Sequence, residues 1–229
     1  MTRAEQIAAN LAEVRARMAT ATRAAGRAPE SVRLLAVSKK MPADDVRAAM
    51  AAGQRAFGEN YAQELRDKSA LLAADPTAPE WHFIGPLQAN KVKYVAGKVA
   101  LLHSVSSPAL LDAIEARGAA QACLVQVNVA GEASKSGLAP ADLPALLDRF
   151  AALKHARCQG LMLIPPRGEA RPHFAALRSL RDREAAVARP NVDLRELSMG
   201  MTEDLEVAIE EGATIVRVGT AIFGPRTVG

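Results

Sequence analysis

The chain is poor in aromatic side chains: one Trp, two Tyr and five Phe in 229 residues, or 3 %. A surface that binds single-stranded nucleic acid interleaves aromatic platforms with basic residues, and no such stretch is present. The net charge of +4 comes from 29 basic and 25 acidic residues, with arginines alternating with acids rather than gathering in a patch. No nucleic-acid partner is therefore expected. Cysteine is nearly absent. Cys123 and Cys158 both fall within apolar runs, which suits core thiols, and two cysteines allow no disulfide framework beyond one bridge. His82, His103, His155 and His173 have no short ligand spacing and no nearby cysteine pair, so no metal site is expected. No apolar run approaches the roughly 18 residues of a membrane span. The first stretch is charged throughout and lacks the apolar segment of a secretory signal. These absences predict a cytoplasmic protein with no membrane partner.

What is present is a repeating rhythm. Ile7, Leu11, Val14 and Met18 recur at three- and four-residue intervals and predict a helix from Ala4 to about Arg23. Eight strand-like runs follow, at Val32–Ser38, Arg55–Phe57, Trp81–Ile84, Val99–Val105, Cys123–Val129, Cys158–Ile164, Leu194–Ser198 and Thr214–Val218. A helix is expected after each of the first seven. They include Leu87–Val95 after the third strand, Pro108 to Arg117 with Ser107 as its cap, and Thr202–Glu211 with Gly212 at its end. Strict alternation of strand and helix means a parallel sheet. Eight such units in 229 residues predict a closed (β/α)8 barrel of TIM type, preceded by an N-terminal helix that covers the seam between the last and first strands. An open doubly wound sheet is the competing architecture, but the turn after the first strand reads SKKMPAD and has no G-x-G-x-x-G. One domain over residues 1–229 is expected, with no second domain.

In such a barrel the chemistry sits where strands end. The first strand ends in Ser38 and Lys39, and a lysine amine in apolar surroundings can lose its proton and condense with a carbonyl. On that stretch alone a wet strand end is the commoner reading. Loops after the seventh and eighth strands often bind phosphate through backbone N–H groups. Here they read SMGMTED and RVGTAIFG, offering the hydroxyls of Ser198, Thr202 and Thr220 with Gly200 and Gly219. Arg217 interrupts the apolar run Ile215–Val218 and by alternation shares a face with Ile215 and Gly219. A buried arginine needs an acceptor, either a carboxylate or a ligand. Glu59 and Asn60, closing the second strand, are candidate partners or polar walls. A lysine for a carbonyl, a phosphate cradle and an arginine beside it suit a ligand with both an aldehyde and a phosphate, such as pyridoxal 5′-phosphate.

The segments AVSKKMP, FGENYAQE, WHFIGPLQANK, VNVAGEASKSG, GLMLIP, LSMGMTEDLEVAIEEG and VRVGTAIFG resemble the successive motifs of the pyridoxal phosphate homeostasis proteins over nearly the whole chain after the first helix. The resemblance implies a single barrel similar to the N-terminal domain of alanine racemase. It implies pyridoxal 5′-phosphate held as an internal aldimine on Lys39 rather than Lys40. It places Ser198, Gly200, Gly219 and Thr220 at the phosphate, Arg217 at the pyridine nitrogen, and Asn60 and Met162 along the ring. His82 also lies in a shared motif and is read as a core histidine. A guanidinium donates to the ring nitrogen and cannot take its proton, so the ring is a weak electron sink. The chain ends soon after the eighth strand, where the racemases continue into a domain that supplies a second acid–base group. The resemblance thus implies a cofactor carrier with no catalytic residue, serving apo forms of pyridoxal-phosphate enzymes. A weakly active amino acid racemase is the alternative. An open barrel mouth permits a monomer or a dimer.

Overall fold

Eight parallel strands close into a barrel in the computed structural model, which describes residues 1–75, 77–131 and 136–225. They are β1 (Arg33–Val37), β2 (Ala56–Glu59), β3 (Glu80–Phe83), β4 (Leu101–Val105), β5 (Gln121–Gln126), β6 (Ala156–Met162), β7 (Val192–Ser198) and β8 (Ile215–Val218). Closure comes from β1 pairing with β8 in parallel, with Leu35 opposite Arg217. The predicted architecture and its eight strands are therefore observed, with ends shifted by a few residues.

Two apolar layers hold the barrel. Leu35, Val37, Ile84, Leu101, Leu124, Met162 and Ile215 form a small inner cluster. The larger cluster lies between the strands' outer faces and the helices, and includes Phe57, Phe83, Leu102, Val125 and Leu161. Alternate residues of each strand feed one layer or the other, as the two-residue period of a strand requires. Cys123 and Cys158 are buried free thiols on neighbouring strands. Burial pushes both up, Cys158 to about 12, so they are inert as nucleophiles.

The N-terminal helix α1 (Arg3–Ala24) starts with a capping box between Thr2 and Glu5 and buries Ile7, Leu11, Val14 and Met18. It packs on α2 (Ala43–Ala51), on α7 (Leu205–Glu210) and on a short helix, α8 (Thr220–Phe223), and so covers the β8–β1 seam as expected. The remaining helices are α3 (Ala62–Leu72), α4 (Pro108–Glu115), α5 (Leu143–Ala151) and α6 (Arg171–Ala185). Ser107 caps α4 by accepting from the Leu110 N–H.

Three expectations needed correction. The segment after β3 is a 3-10 helix, Ala89–Tyr94, not an α-helix. Val92, buried within it, and Val95, buried just past its end, stand three apart, which matches the tighter period. The helix expected from Thr202 starts only at Leu205, because Asp204 Oδ1 accepts the Met201 N–H at 2.6 Å and folds the preceding residues into a turn. The helix α8 was not foreseen. The middle of the long loop before α5, residues 132–135, lies outside the described residues.

Candidate functional site

Alternation along β1 points Leu35 and Val37 into the barrel, and Lys39 follows on the same face at the C-terminal mouth. There a cleft of about 610 Å³ is lined by Val37, Lys39, Asn60 and Ile84 on one side and by Arg217, Gly219 and Thr220 across the β1–β8 seam. Ile164, Arg167 and the turn Met201–Asp204 complete its wall. Lys40 does not join them. Its backbone is in the left-handed region (φ 61°), its side chain is exposed, and its N–H donates to Glu64 Oε1 at 2.5 Å. The geometry thus distinguishes two adjacent lysines.

Arg217 lies inside the barrel and is 4 % exposed. Its Nη1 donates to Ser198 Oγ and its Nη2 to the Leu163 carbonyl, each at 2.9 Å. No carboxylate pairs with it directly among the described residues. Burial lowers its guanidinium to about 10, with Asp204 opposing that shift, so it remains a cation at neutral pH. A guanidinium has five N–H donors, and those two bonds leave others free to face the cleft.

Five of the eight predicted residues meet at this mouth: Lys39, Asn60, Arg217, Gly219 and Thr220. Three do not line it. Ser198 is fully buried and its hydroxyl is already engaged by Arg217 and by His103 Nδ1 at 2.9 Å. The hydroxyl that reaches the mouth from this loop belongs to Thr202. Met162 is buried in the inner apolar cluster, beneath the cleft. Gly200 turns the chain with φ +91°, and a Cβ there would lie 2.5 Å from Ala208 Cβ. Its carbonyl accepts the Arg217 N–H at 2.9 Å, so it supports the site from behind. Glu59 is not a wall of the site either. It points outward, where its Oε1 accepts from Ser38 Oγ at 2.7 Å and from Lys68 Nζ at 2.8 Å. Two residues escaped the sequence reading. Arg167 follows Pro165-Pro166 and carried no motif. His103 had a usable signal, since it alternates with Leu101 and Val105 on β4.

The mouth suits a small polar ligand. Asn60 Oδ1 is buried at its edge with no hydrogen-bond partner among the described residues. A Cβ on Gly85 would fall 2.2 Å from the Asn60 carbonyl, so glycine there lets Asn60 take its place. A Cβ on Gly219 would lie 3.2 Å from the Val37 carbonyl, narrowing the cleft beside Lys39.

Comparison with known proteins shows the family and the fold. The family model for the alanine racemase N-terminal domain matches residues 4–227. The pyridoxal phosphate homeostasis protein of Pseudomonas aeruginosa is 49 % identical over 97 % of each chain. That of Escherichia coli K12 is 41 % identical over 96 % of this chain and 97 % of its own. The chain belongs to the pyridoxal phosphate homeostasis protein family. A solved structure within reach of this family is PipY of Synechococcus elongatus with pyridoxal phosphate bound, which has 38 % identity and a TM-score of 0.82 over 95 % of this chain and all of that one. Alanine racemase of Corynebacterium glutamicum shares the fold at 18 % identity and a TM-score of 0.66, with 62 % of its chain covered. Among the described residues, no helix of this homeostasis-family chain is long and apolar enough to cross a membrane, and no His/Cys/Asp/Glu group could hold a metal.

Proposed function

We propose that this chain binds pyridoxal 5′-phosphate at the barrel mouth and holds it for intracellular cofactor homeostasis, releasing it to apo forms of pyridoxal-phosphate enzymes. The observation that carries the reading is the meeting of Lys39 and Arg217 in one cleft across the β1–β8 seam. Lys39 would hold the group, its deprotonated Nζ being the amine that an aldehyde condenses with. Arg217 would offer an N–H to the pyridine nitrogen and cannot accept a proton from it. Gly219, Thr220 and Thr202 supply the phosphate side, with Ser198 and Gly200 as its support. Asn60 borders the ring edge, and Met162 forms the floor.

When bound, pyridoxal phosphate supplies an electrophilic carbon for amines and an electron sink, which this arginine keeps weak. The cleft residues favour holding over turnover. Among the described residues, no histidine, tyrosine or cysteine lines the cleft. Two carboxylates do, Glu203 and Asp204, but they are neighbours on one turn rather than opposed, and Asp204 Oδ1 accepts the Met201 N–H. A racemase needs two opposed acid–base groups, so racemase activity is the weaker reading. The test is borohydride reduction of the protein mixed with pyridoxal phosphate, followed by peptide mapping. The covalent label is expected on Lys39, and Lys39→Ala is expected to lose the bound chromophore. A variant that binds the cofactor as well as wild type, or a label found only elsewhere, refutes the reading. Exchange of the α-proton of alanine at ordinary enzymatic rates, on the order of 1–10³ s⁻¹, would favour the racemase instead.

A further inference from the structure

The barrel interior below the cleft is not wholly apolar. A chain of side chains crosses it from the far end to the cleft floor. Glu80 Oε1 lies 2.8 Å from His82 Nε2, His82 Nδ1 lies 2.8 Å from His103 Nε2, and His103 Nδ1 lies 2.9 Å from Ser198 Oγ. Ser198 Oγ in turn accepts from Arg217 Nη1 at 2.9 Å. His82, His103, Ser198 and Arg217 are each at most 4 % exposed, whereas the Glu80 side chain is 47 % exposed at the N-terminal end of β3. An apolar filling would be the ordinary content of such a barrel. Burying four polar groups in one line costs free energy unless each is bonded, and here each one is.

The chemistry of the two ends gives the chain a direction. Arg217 can only donate, so Ser198 Oγ accepts from it and its own proton is free to go to His103 Nδ1. His103 then carries its proton on Nε2 and donates to His82 Nδ1. His82 carries its proton on Nε2 and donates to the Glu80 carboxylate, which only accepts when ionised. Every donor and acceptor is used once. In the reverse direction Ser198 would accept twice, its proton would have no acceptor in the chain, and Glu80 or His82 would have to gain a proton. Burial keeps His103 neutral, its shift reinforced by His82, Arg217 and Arg33.

We propose that His82 and His103 are positioning residues that aim the Arg217 guanidinium at the cleft, acting through Ser198 from an anchor on Glu80. This rests on the reading of Arg217 as the ring-nitrogen donor. The chain carries no proton to the cofactor, because the guanidinium at its end keeps its own. Its effect is orientation. Nη1 is fixed by the chain and Nη2 by the Leu163 carbonyl, so the remaining N–H donors have one direction to take. Losing that hold weakens one charge-assisted bond to the ligand.

The first measurement needs no cofactor. Imidazole ¹⁵N NMR of the apo protein at neutral pH is expected to show His82 and His103 both protonated on Nε2 only. Protonation of Nδ1 in either ring overturns the assignment. The second measurement is pyridoxal phosphate titration followed by absorbance. His103→Gln is expected to weaken binding about tenfold and to shift the absorption of the bound cofactor. Glu80→Ala, at the exposed end and away from the core, is expected to mix the tautomers of His82 and shift the same band. Glu80→Gln keeps an acceptor oxygen and is expected to restore both. A folded His103→Gln with wild-type affinity and spectrum refutes the positioning role. So does Glu80→Ala with unchanged tautomers and spectrum, a variant that stays informative if His103→Gln does not fold. Wild-type protein that takes up no cofactor would refute the function instead, while the tautomers would still decide the chain.

Discussion

Replacing Lys68 with methionine tests what holds the turn that presents Lys39. Lys68 rises from α3 into the layer between helices and barrel, where its side chain is 7 % exposed. Its ammonium donates to the Ser38 carbonyl at 2.6 Å, to Glu59 Oε1 at 2.8 Å and to Glu64 Oε1 at 2.7 Å. Glu59 is fully buried and also accepts from Ser38 Oγ, so both oxygens of Ser38 are tied to this pair. Methionine fills a similar volume but leaves the Glu59 carboxylate without its cation. Removing one partner of a buried pair costs about 3–5 kcal/mol. With a urea slope of about 3 kcal/mol per molar, the unfolding midpoint should fall by about 1–1.7 M. Burial already raises the Glu59 carboxyl, with Lys68 and Ser38 opposing it, and removal of Lys68 raises it further. A carboxyl raised in the folded state costs stability as pH climbs through its folded value. The gap between wild type and K68M should therefore be smallest in acid and widen towards neutral pH. Glu59→Gln in the same chain should recover much of the loss, because no unpaired charge remains buried. The assay is urea unfolding at several pH values. A gap that is flat with pH, or below about 1 kcal/mol at neutral pH, would refute the idea that an uncompensated Glu59 charge dominates, since that is the size of an ordinary exposed pair.

Two further outcomes follow from the same bonding pattern. Glu115 accepts the backbone N–H groups of Lys154, His155 and Ala156 at 2.9, 3.0 and 2.9 Å, tying α4 to the start of β6. Burial pushes its carboxyl up, but those N–H groups outweigh it and hold it below the usual range. Glu115→Gln should cost about 1–3 kcal/mol at neutral pH. The difference should shrink as pH falls below about 4, where the depressed carboxyl gains its proton, and a difference that grows in acid would contradict the assignment. Gly200→Ala should cost about 2–3 kcal/mol, from φ +91° and a Cβ 2.5 Å from Ala208 Cβ. At about 2–4 °C per kcal/mol, the melting temperature should fall by roughly 4–12 °C. Gly118→Ala, at φ +66° with open space around it, should lose less, and equal losses would show that the Ala208 contact carries no weight.

The barrel was legible because its signal is periodic. Apolar runs bounded by Gly, Pro and polar residues mark all eight strands, and Ser107 marks a helix start in sequence and structure alike. Errors arose where local chemistry overrode the period, as when Asp204 bonded the Met201 N–H and delayed α7 to Leu205. Lys39, Asn60, Arg217, Gly219 and Thr220 were legible as strand-end residues with chemistry to offer. Ser198 was legible as polar but not as buried, because a hydroxyl in a glycine-rich turn reads the same whether it faces a ligand or an arginine. The Glu80–His82–His103 chain was not legible. Its histidines lie 21 residues apart on two strands, and only the parallel pairing of β3 with β4 brings the rings together.

The division of labour at the mouth follows from the two-residue period of the strands. Where β1 ends, Ser38 turns outward to Glu59 and Lys68 while Lys39 turns inward to the cleft. Where β2 ends, Glu59 turns outward and Asn60 inward. The outer member of each pair is fixed by a buried ionic cluster, and the inner member inherits that fixed backbone. The backbone that presents Lys39 to the cleft is thus held through its neighbour in sequence, Ser38. A slip of one residue at the end of β1 would exchange the two roles, exposing Ser38 to the cleft and burying Lys39 against Lys68. Like charge makes that slip costly. The same electrostatics that hold the scaffold therefore select which residue at the end of β1 faces the cleft.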